Sequence, residues 1–318
     1  MSSKLRVGVL LPTRGILMGD VRPLGIEAVL RIAERADQAG LDSVWVGDSL
    51  TAKPRLEPMS TLSAIAMHTS NVRLGTAVML GPLRHPVSLA HAATTVDLIS
   101  KGRLVLGMGV GGAFNEAQRV EWKNVDISSR SRASRFEELI KVFKLLTKGE
   151  NVTFRGKHFS IQDVSIRPVS PQQNGVPVLI AAHGRSKLNR QYERVLLGDG
   201  LISISDFPSE YENVLERVRH YSVQKGRNFD ELEKSFYMTV NMNSDHQVAE
   251  EEADRFLKLY YGINIWGERW GPWGNPKEVI KRIRRYAEAG VETIIVRFAS
   301  FNQDRQMDLF LNEVVPYV

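Results

Sequence analysis

The segment Leu74–Gly112 constrains the fold more than any other part of this sequence. Two short apolar runs, Val72–Leu80 and Arg103–Gly109, flank a stretch with the pattern of one amphipathic helix. Strand, helix and strand in this order predict a parallel βαβ unit, because parallel neighbours need a crossover connection. Glycines end the second run, and they let a bound group lie against the backbone. The segment therefore favours an α/β fold with a ligand site at one strand end.

Strand and helix patterns alternate along all 318 residues. Eight strand-like runs, each followed by helical sequence, match a TIM (β/α)8 barrel: Val7–Leu11, Ser43–Val46, Val72–Leu80, Arg103–Gly109, Pro177–Ala181, Leu201–Ser203, Ser235–Asn241 and Thr293–Arg297. Two further runs predict a β-hairpin, Val152–Phe154 and His158–Ile161. We expect one domain over residues 1–318, with inserted loops at 113–131, 150–176 and 262–275. A doubly wound sheet is the alternative, but it would tend to show a break in composition between two halves, which this sequence lacks.

Composition excludes several kinds of protein. The chain has no cysteine, which excludes disulfides and cysteine-bound metals, and its histidines lack metal-ligand spacing, so we expect no metal. No apolar run approaches the roughly 20 residues of a membrane span, and no signal-peptide cleavage pattern follows the first run. We therefore expect a cytoplasmic protein. The net charge of +6 indicates a solvated surface, without the features of a nucleic-acid-binding module. A phosphate-bearing cofactor or an anionic substrate would use part of this charge.

Residues directly after the barrel strands are the candidates for the site, because TIM barrels bind ligands at the carboxyl ends of their strands. Asp48 follows the second strand, where a carboxylate transfers a proton or binds a cofactor ring; capping of the next turn is the structural alternative. Ala77 and Val78 belong to a strand of small side chains, which permits close approach of a planar ring or simply fills the barrel interior.

A second candidate lies after the fifth barrel strand, where a glycine, a serine and two cations open a helix. Free N–H groups and positive charge converge at such a position, so we predict that Gly184, Arg185 and Ser186 bind a phosphate. A simple N-cap with solvated cations is the alternative. An aromatic-rich segment lines either an apolar substrate pocket or a dimer interface: Trp266, Trp270 and Trp273.

Several segments are together similar to the bacterial luciferase-like monooxygenase superfamily, whose members bind FMN or the deazaflavin coenzyme F420 in a TIM barrel. They are DSVWVGDS at 42–49, EPMSTLSAIA at 57–66, the block 74–112, NVTFRGKHF at 151–159, VPVLIAAHG at 176–184, GDG at 198–200 and GNPKEVIKRIRRYAEAGVETIIVR at 274–297. The resemblance covers nearly the whole chain. It points to the superfamily and not to a substrate.

The resemblance implies a cofactor site. The Ala77-Val78 link resembles a bulged, non-prolyl cis peptide that backs the flavin ring, and Asp48 matches a position next to that ring. The loop beside the ring and ribityl chain is implied at Gly109, Val110, Gly111 and Gly112. The phosphate loop, which Ile202 and Ser203 complete, is implied at Ala182, His183, Gly184, Arg185 and Ser186.

Departures from the family pattern reduce the number of possible functions. Deazaflavin enzymes that oxidise sugar phosphates and alcohols carry histidine where this chain has Ser49, and some carry glutamate at Gly112. The catalytic histidine of the light-emitting luciferases is also missing. The resemblance leaves three alternatives: a reduced-FMN and dioxygen-dependent monooxygenase of a small organic substrate, a deazaflavin-dependent hydride-transfer oxidoreductase, and a non-enzymatic flavin-binding relative. The first is our leading prediction, with a separate flavin reductase as partner and a homodimer as assembly.

Overall fold

The computed structural model describes residues 5–18, 25–185, 188–264 and 267–318. Within these residues, eight parallel strands close a barrel in the order β1-β2-β3-β4-β7-β8-β9-β11, and β11 pairs with β1. The strands are β1 (Arg6–Leu10), β2 (Ser43–Val46), β3 (Arg73–Leu80), β4 (Leu104–Gly109), β5 (Val152–Arg155), β6 (Ser160–Val164), β7 (Val178–Ala181), β8 (Gly200–Ile204), β9 (Glu233–Met242), β10 (Trp273–Gly274) and β11 (Thr293–Phe298). The predicted TIM barrel is confirmed, and β5 and β6 form the predicted hairpin.

Helices surround the barrel: α1 (Glu27–Gln38), α2 (Pro58–His68), α3 (Pro86–Ile99), α4 (Glu116–Lys123), α5 (Arg132–Thr147), α6 (Arg190–Val195), α7 (Pro208–Gln224), α8 (His246–Tyr261), α9 (Pro276–Glu288) and α10 (Gln303–Leu309). Local sequence explains their ends. The Asn275 side chain accepts hydrogen bonds from two N–H groups of the first turn of α9, and Gly290 adopts a φ of 94° after its last turn. Among the described helices, none is both long and apolar enough to cross a membrane.

One helix lies inside a segment that the sequence pattern had assigned to a loop. Helix α4 occupies the insert 113–131, and the Asn115 side chain caps it together with Gln118. Its buried residues are Glu121 and Trp122, so it has no apolar stripe of helical periodicity. A short helix that is held by its cap and by one tryptophan gives too weak a pattern to be predicted.

The barrel interior explains one of the small residues of β3. A Cβ atom at Gly75 would overlap the indole ring of Trp45, which fills the interior together with Val105, Leu179 and Ile295. Gly75 therefore makes room for a core side chain and not for a ligand ring. The part of β3 that remains for a ligand begins two residues later, nearer the carboxyl end of the barrel.

Candidate functional site

A cavity of about 210 Å³ lies at the carboxyl ends of the barrel strands, where TIM barrels bind their ligands. One side of its wall is uncharged and consists mainly of small or aliphatic side chains: Ala77, Val78, Ala181, Ile202 and Ser203. The opposite side is cationic and aromatic. Within the described ranges, no group of three or more metal-binding side chains occurs.

The uncharged wall contains the backbone feature that the family resemblance implied. The Ala77-Val78 peptide bond is cis, and the pairing of β3 with β4 shifts register between Thr76 and Met79. On β4, a Cβ at Gly107 would overlap the carbonyl oxygen of Thr76, so the two strands approach too closely for any side chain there. The result is a bulge that presents Ala77 and Val78 to the cavity as a small, apolar surface.

The glycine loop after β4 supports this wall from outside the cavity. A Cβ at Gly109 would lie 3.1 Å from Cγ2 of Val78, so the loop packs directly against the bulge. Gly111 adopts a φ of 74°, and the Trp122 side chain of α4 donates a hydrogen bond of 2.8 Å from Nε1 to the carbonyl oxygen of Gly112. In the part of the chain that the structure describes, residues 109–112 do not line the cavity.

Asp48 lines the cavity, but its carboxylate is already engaged. Oδ1 accepts a hydrogen bond of 2.8 Å from Nη2 of Arg84, and Oδ2 accepts bonds from Nη1 of Arg84 (2.5 Å) and the N–H of Leu80 (2.8 Å). Both oxygens of this carboxylate therefore already have donors within the protein, and neither is left free for a ligand. The geometry therefore favours a positioning role: Asp48 fixes the end of β3 directly after the cis-peptide bulge.

The expected phosphate loop also differs from the prediction. The N–H of Gly184 donates to Oδ2 of Asp206 at 2.9 Å, and Oγ of Ser203 donates to the same oxygen at 2.6 Å. Burial raises the pKa of Asp206, while Ser203, Gly184 and His183 act in the opposite direction. The N–H group that the sequence pattern offered to a phosphate is thus occupied by a carboxylate, which a phosphate would have to displace.

The remaining residues of this loop are divided between the cavity, the interior and the surface. His183 lines the cavity, and its Nδ1 atom is buried without a hydrogen-bond partner among the described residues. Burial lowers the pKa of His183, and the carboxylate of Asp206 acts in the opposite direction. Ala182 is buried, the Arg185 side chain is exposed, and Ser186 lies outside the described residues.

The cationic side of the cavity was not predicted. Lys53 and Arg55 come from the loop after β2, Tyr237 from β9, and Tyr260 and Tyr261 from the last turn of α8. Burial, together with the positive charges of Arg55, Arg14 and Arg297, lowers the pKa of Lys53 to about 8. Two cations shortly after a barrel strand were the available signal, but nothing in the local sequence says that they turn inwards.

None of the described residues of the tryptophan segment lines the cavity. Trp270 is buried, donates a hydrogen bond of 2.9 Å from Nε1 to Oγ of Ser205, and packs with its ring centroid 5.1 Å from that of Tyr261. Trp273 is half-buried against the same apolar cluster, and Trp266 lies outside the described residues. The two alternatives for this segment, a substrate pocket and a dimer interface, stay predictions. Trp270 packs against the Tyr261 ring.

The model of the luciferase-like monooxygenase family matches residues 5–265, and the chain belongs to this family. A relative from Amycolatopsis mediterranei, named F420-dependent glucose-6-phosphate dehydrogenase, is 27% identical over 92% of this chain and 94% of its own length. The solved monooxygenase RslO1 from Streptomyces bottropensis has a TM-score of 0.83 at 22% identity, covering 98% of this chain and 99% of its own. An F420-dependent secondary alcohol dehydrogenase, solved with an F420-acetone adduct, has a TM-score of 0.81 at 21% identity, covering 99% of both chains. The protein is thus a flavin- or deazaflavin-dependent oxidoreductase.

Proposed function

We propose that this protein is an F420-dependent oxidoreductase that transfers a hydride between the deazaflavin and a small organic substrate. This reverses the order given to the alternatives from the sequence, where the reduced-FMN monooxygenase came first. The name of the Amycolatopsis relative supports the deazaflavin, because the alignment covers 92% of this chain. A second relative of the same name, from Beutenbergia cavernae, is 30% identical over 88% of this chain and 90% of its own length.

The observation that carries the proposal is the uncharged wall at the cis-peptide bulge. Ala77, Val78 and Ala181 leave space beside the wall, and any larger side chain there would fill it. A planar tricyclic ring is the kind of group that such a surface accommodates, since its faces are apolar. The residues present therefore fit the ring of the coenzyme. When bound, F420 supplies the carbon that accepts or releases a hydride.

The chain's own residues would hold the ring, orient the substrate and move a proton. The end of β3, which Asp48 fixes through Leu80, sets the position of the ring-binding wall. Oxidation or reduction of a carbon–oxygen bond also needs a proton donor or acceptor, and this chain has Ser49 and Gly112 where the family resemblance led us to look for a histidine and a glutamate. His183 lines the same cavity, and its Nδ1 atom has no hydrogen-bond partner among the described residues, so it is available for this task.

A reduced-FMN monooxygenase is the second candidate, and the family's description favours it. The two differ in coenzyme and in the use of dioxygen. The deciding experiment is an anaerobic calorimetric titration of the purified protein with oxidised F420 and, separately, with reduced FMN. We expect F420 to bind at least about tenfold more tightly, a difference of about 1.4 kcal/mol. Tighter binding of FMN, followed by substrate-dependent dioxygen uptake, would favour the second candidate.

The site assignment is tested with Ala77→Phe, in which the new ring fills the space beside the bulge. Binding of F420 should be lost while the circular dichroism spectrum is retained. Ala39→Phe is the matched control, because Ala39 is an exposed residue at the end of α1, away from the ligand end of the barrel. Unchanged affinity in a folded Ala77→Phe variant would remove the ring from this wall.

A further inference from the structure

Cationic side chains gather on one side of the candidate cavity in a way that the proposed hydride transfer does not by itself require. The cation cluster comes from the loops after β1 and β2 and from β11, which are neighbouring strands of the barrel: Arg14, Lys53, Arg55 and Arg297. Lys53 and Arg55 line the main cavity, whereas Arg14 and Arg297 line a small cavity on the other side of Tyr260.

Tyrosine rings bring the cluster together. The guanidinium carbons of Arg14, Arg55 and Arg297 lie 5.2, 5.5 and 4.9 Å from the centroid of the Tyr260 ring. Nζ of Lys53 lies 4.4 Å from the ring centroid of its neighbour in the chain, Tyr261. Cation–π attraction of this kind stabilises each contact, but it does not neutralise the net positive charge.

Carboxylates do not balance this charge among the residues that the structure describes. None of their carboxylate oxygens lies within 4.0 Å of a charged nitrogen of the cluster. Asp48, which also lines the cavity, is paired with Arg84. Glu121 raises the pKa of Lys53 from a greater distance, and its Oε1 already accepts hydrogen bonds from the Ser49 hydroxyl and two backbone N–H groups.

The two members behind Tyr260, Arg297 and the half-buried Arg14, have only neutral hydrogen-bond partners. Arg297 is 3% exposed, donates to Oγ1 of Thr239 and the hydroxyl of Tyr261, and keeps Nη2 unpartnered within the described chain. Arg14 donates to the carbonyl oxygen of Pro54. Buried charges are normally paired, because an uncompensated charge removes stability from the fold. A cluster that remains uncompensated at the ligand end of a barrel indicates that a ligand supplies the counter-charge.

The positive charge of the cluster also changes the pKa of a neighbouring side chain. Burial alone would raise the pKa of the Tyr260 phenol, but Arg55, Arg297 and Arg14 reverse this and lower it. One phenolate would still leave the cluster with a large excess of positive charge. An oxyanion suits the two residues that face the cavity, because arginine presents a planar fork to carboxylate and phosphate oxygens and lysine adds a point charge.

We propose that the substrate carries an oxyanion, a carboxylate or a phosphate monoester, and that Lys53 and Arg55 bind it. Arg14 and Arg297 stand behind Tyr260 and raise the positive potential at the same place. The proposal rests on the proposed function only in placing the substrate in the cavity that holds the coenzyme. It deepens that function by restricting the substrates to anionic molecules, with the reacting carbon directed towards the uncharged wall.

The test is calorimetric titration of the whole protein, without coenzyme and at low salt, with inorganic phosphate and with acetate. We expect at least one of the two anions to bind, and Arg55→Met and Lys53→Met each to weaken that binding by about tenfold or more. Lys281→Met and Arg285→Met are matched controls, because they remove the same charges from an exposed face of α9. Equal losses in the controls, or no binding of either anion to the folded wild type, would overturn the proposal.

A second arm separates a substrate oxyanion from the phosphate of the coenzyme itself. The four variants are titrated with F420 and with a deazaflavin that lacks the phosphate and its tail. If Arg55→Met weakens only F420, the cluster binds the coenzyme and the substrate assignment is wrong. If F420 does not bind at all but phosphate binding still depends on Arg55, the proposed function fails and the oxyanion site stands. If F420 binds and neither anion does, only the oxyanion site fails.

Discussion

The two ends of the barrel differ in whether their cationic side chains are paired with carboxylates. At the amino end, Arg73 donates from both Nη atoms to the two carboxylate oxygens of Glu233, at 3.2 and 2.9 Å. Arg6 lies 3.5 Å from Glu233 and 3.9 Å from Glu292, and Nζ of Lys234 lies 2.7 Å from Glu292. Each of these cations has a carboxylate partner, and the paired residues lie at or next to the starts of strands.

At the carboxyl end, two arginines outside the cation cluster have carboxylate partners. Arg84 is paired with Asp48, and Arg269 with Glu210. The cluster around Tyr260 has no such partner among the described residues. The comparison indicates that the ion pairs of the amino end stabilise the fold, whereas the unpaired cation cluster lowers stability at the end of the barrel where TIM barrels bind their ligands.

Breaking a pair at the amino end should have the largest effect. Glu233→Gln leaves Arg73 and Arg6 near a neutral amide, and we expect the free energy of unfolding in guanidinium chloride to fall by about 3 kcal/mol. Burial alone would raise the pKa of Glu233, but Arg73 lowers it overall. The stabilisation is therefore present above the ordinary glutamate pKa and lost as the pH falls through the lower, folded-state value. Glu216→Gln, at an exposed position, is the control; an equal loss there would remove the contrast between the two ends.

Removing a cation from the cluster should instead raise the free energy of unfolding. Lys53 has a pKa of about 8 in the folded protein and 10.5 as its reference, so its charge destabilises the fold below pH 8. Lys53→Met should raise the free energy of unfolding at pH 7 by on the order of 2 kcal/mol. The gain should shrink as the pH rises from about 8 to 10.5, because the wild type then loses the charge when folded. The control is Lys281→Met, which should change the free energy of unfolding very little. If Lys53→Met is less stable than the wild type at pH 7, the charge of Lys53 is compensated in the folded protein.

A smaller effect is expected where a charge at the carboxyl end is paired. Asp48→Asn keeps an acceptor for the N–H of Leu80 but removes the negative charge beside Arg84, so we expect a loss of about 1 kcal/mol in urea. The pH–rate profile distinguishes its two possible roles. A positioning residue lowers the rate without changing the shape of the profile, whereas loss of one limb and a roughly 100-fold drop in turnover would restore Asp48 as the proton-transfer group.

The local sequence pattern was sufficient to predict most secondary-structure elements and the end of the barrel at which the candidate site lies. Strand β2 begins and ends at the predicted residues, because its apolar run and the glycine that follows it are encoded within the segment. The eight-strand count fixed the barrel, and the family resemblance located the bulge at Ala77-Val78. Helix α4 was missed because its polar sequence has no helical stripe.

Only the tertiary structure decided which side chains meet. Asp48 accepts a hydrogen bond from Arg84, 36 residues away in the chain, and Gly184 donates one to Asp206, 22 residues away. Two residues that the sequence predicted to contact a ligand therefore have hydrogen-bond partners within the protein. Arg14 and Arg297 lie near opposite ends of the chain and approach the same tyrosine ring because β1 and β11 are neighbours in the closed barrel. Sequence periodicity depends on neighbours a few residues apart, whereas the electrostatics of the cavity depend on barrel closure, which brings distant strand ends together.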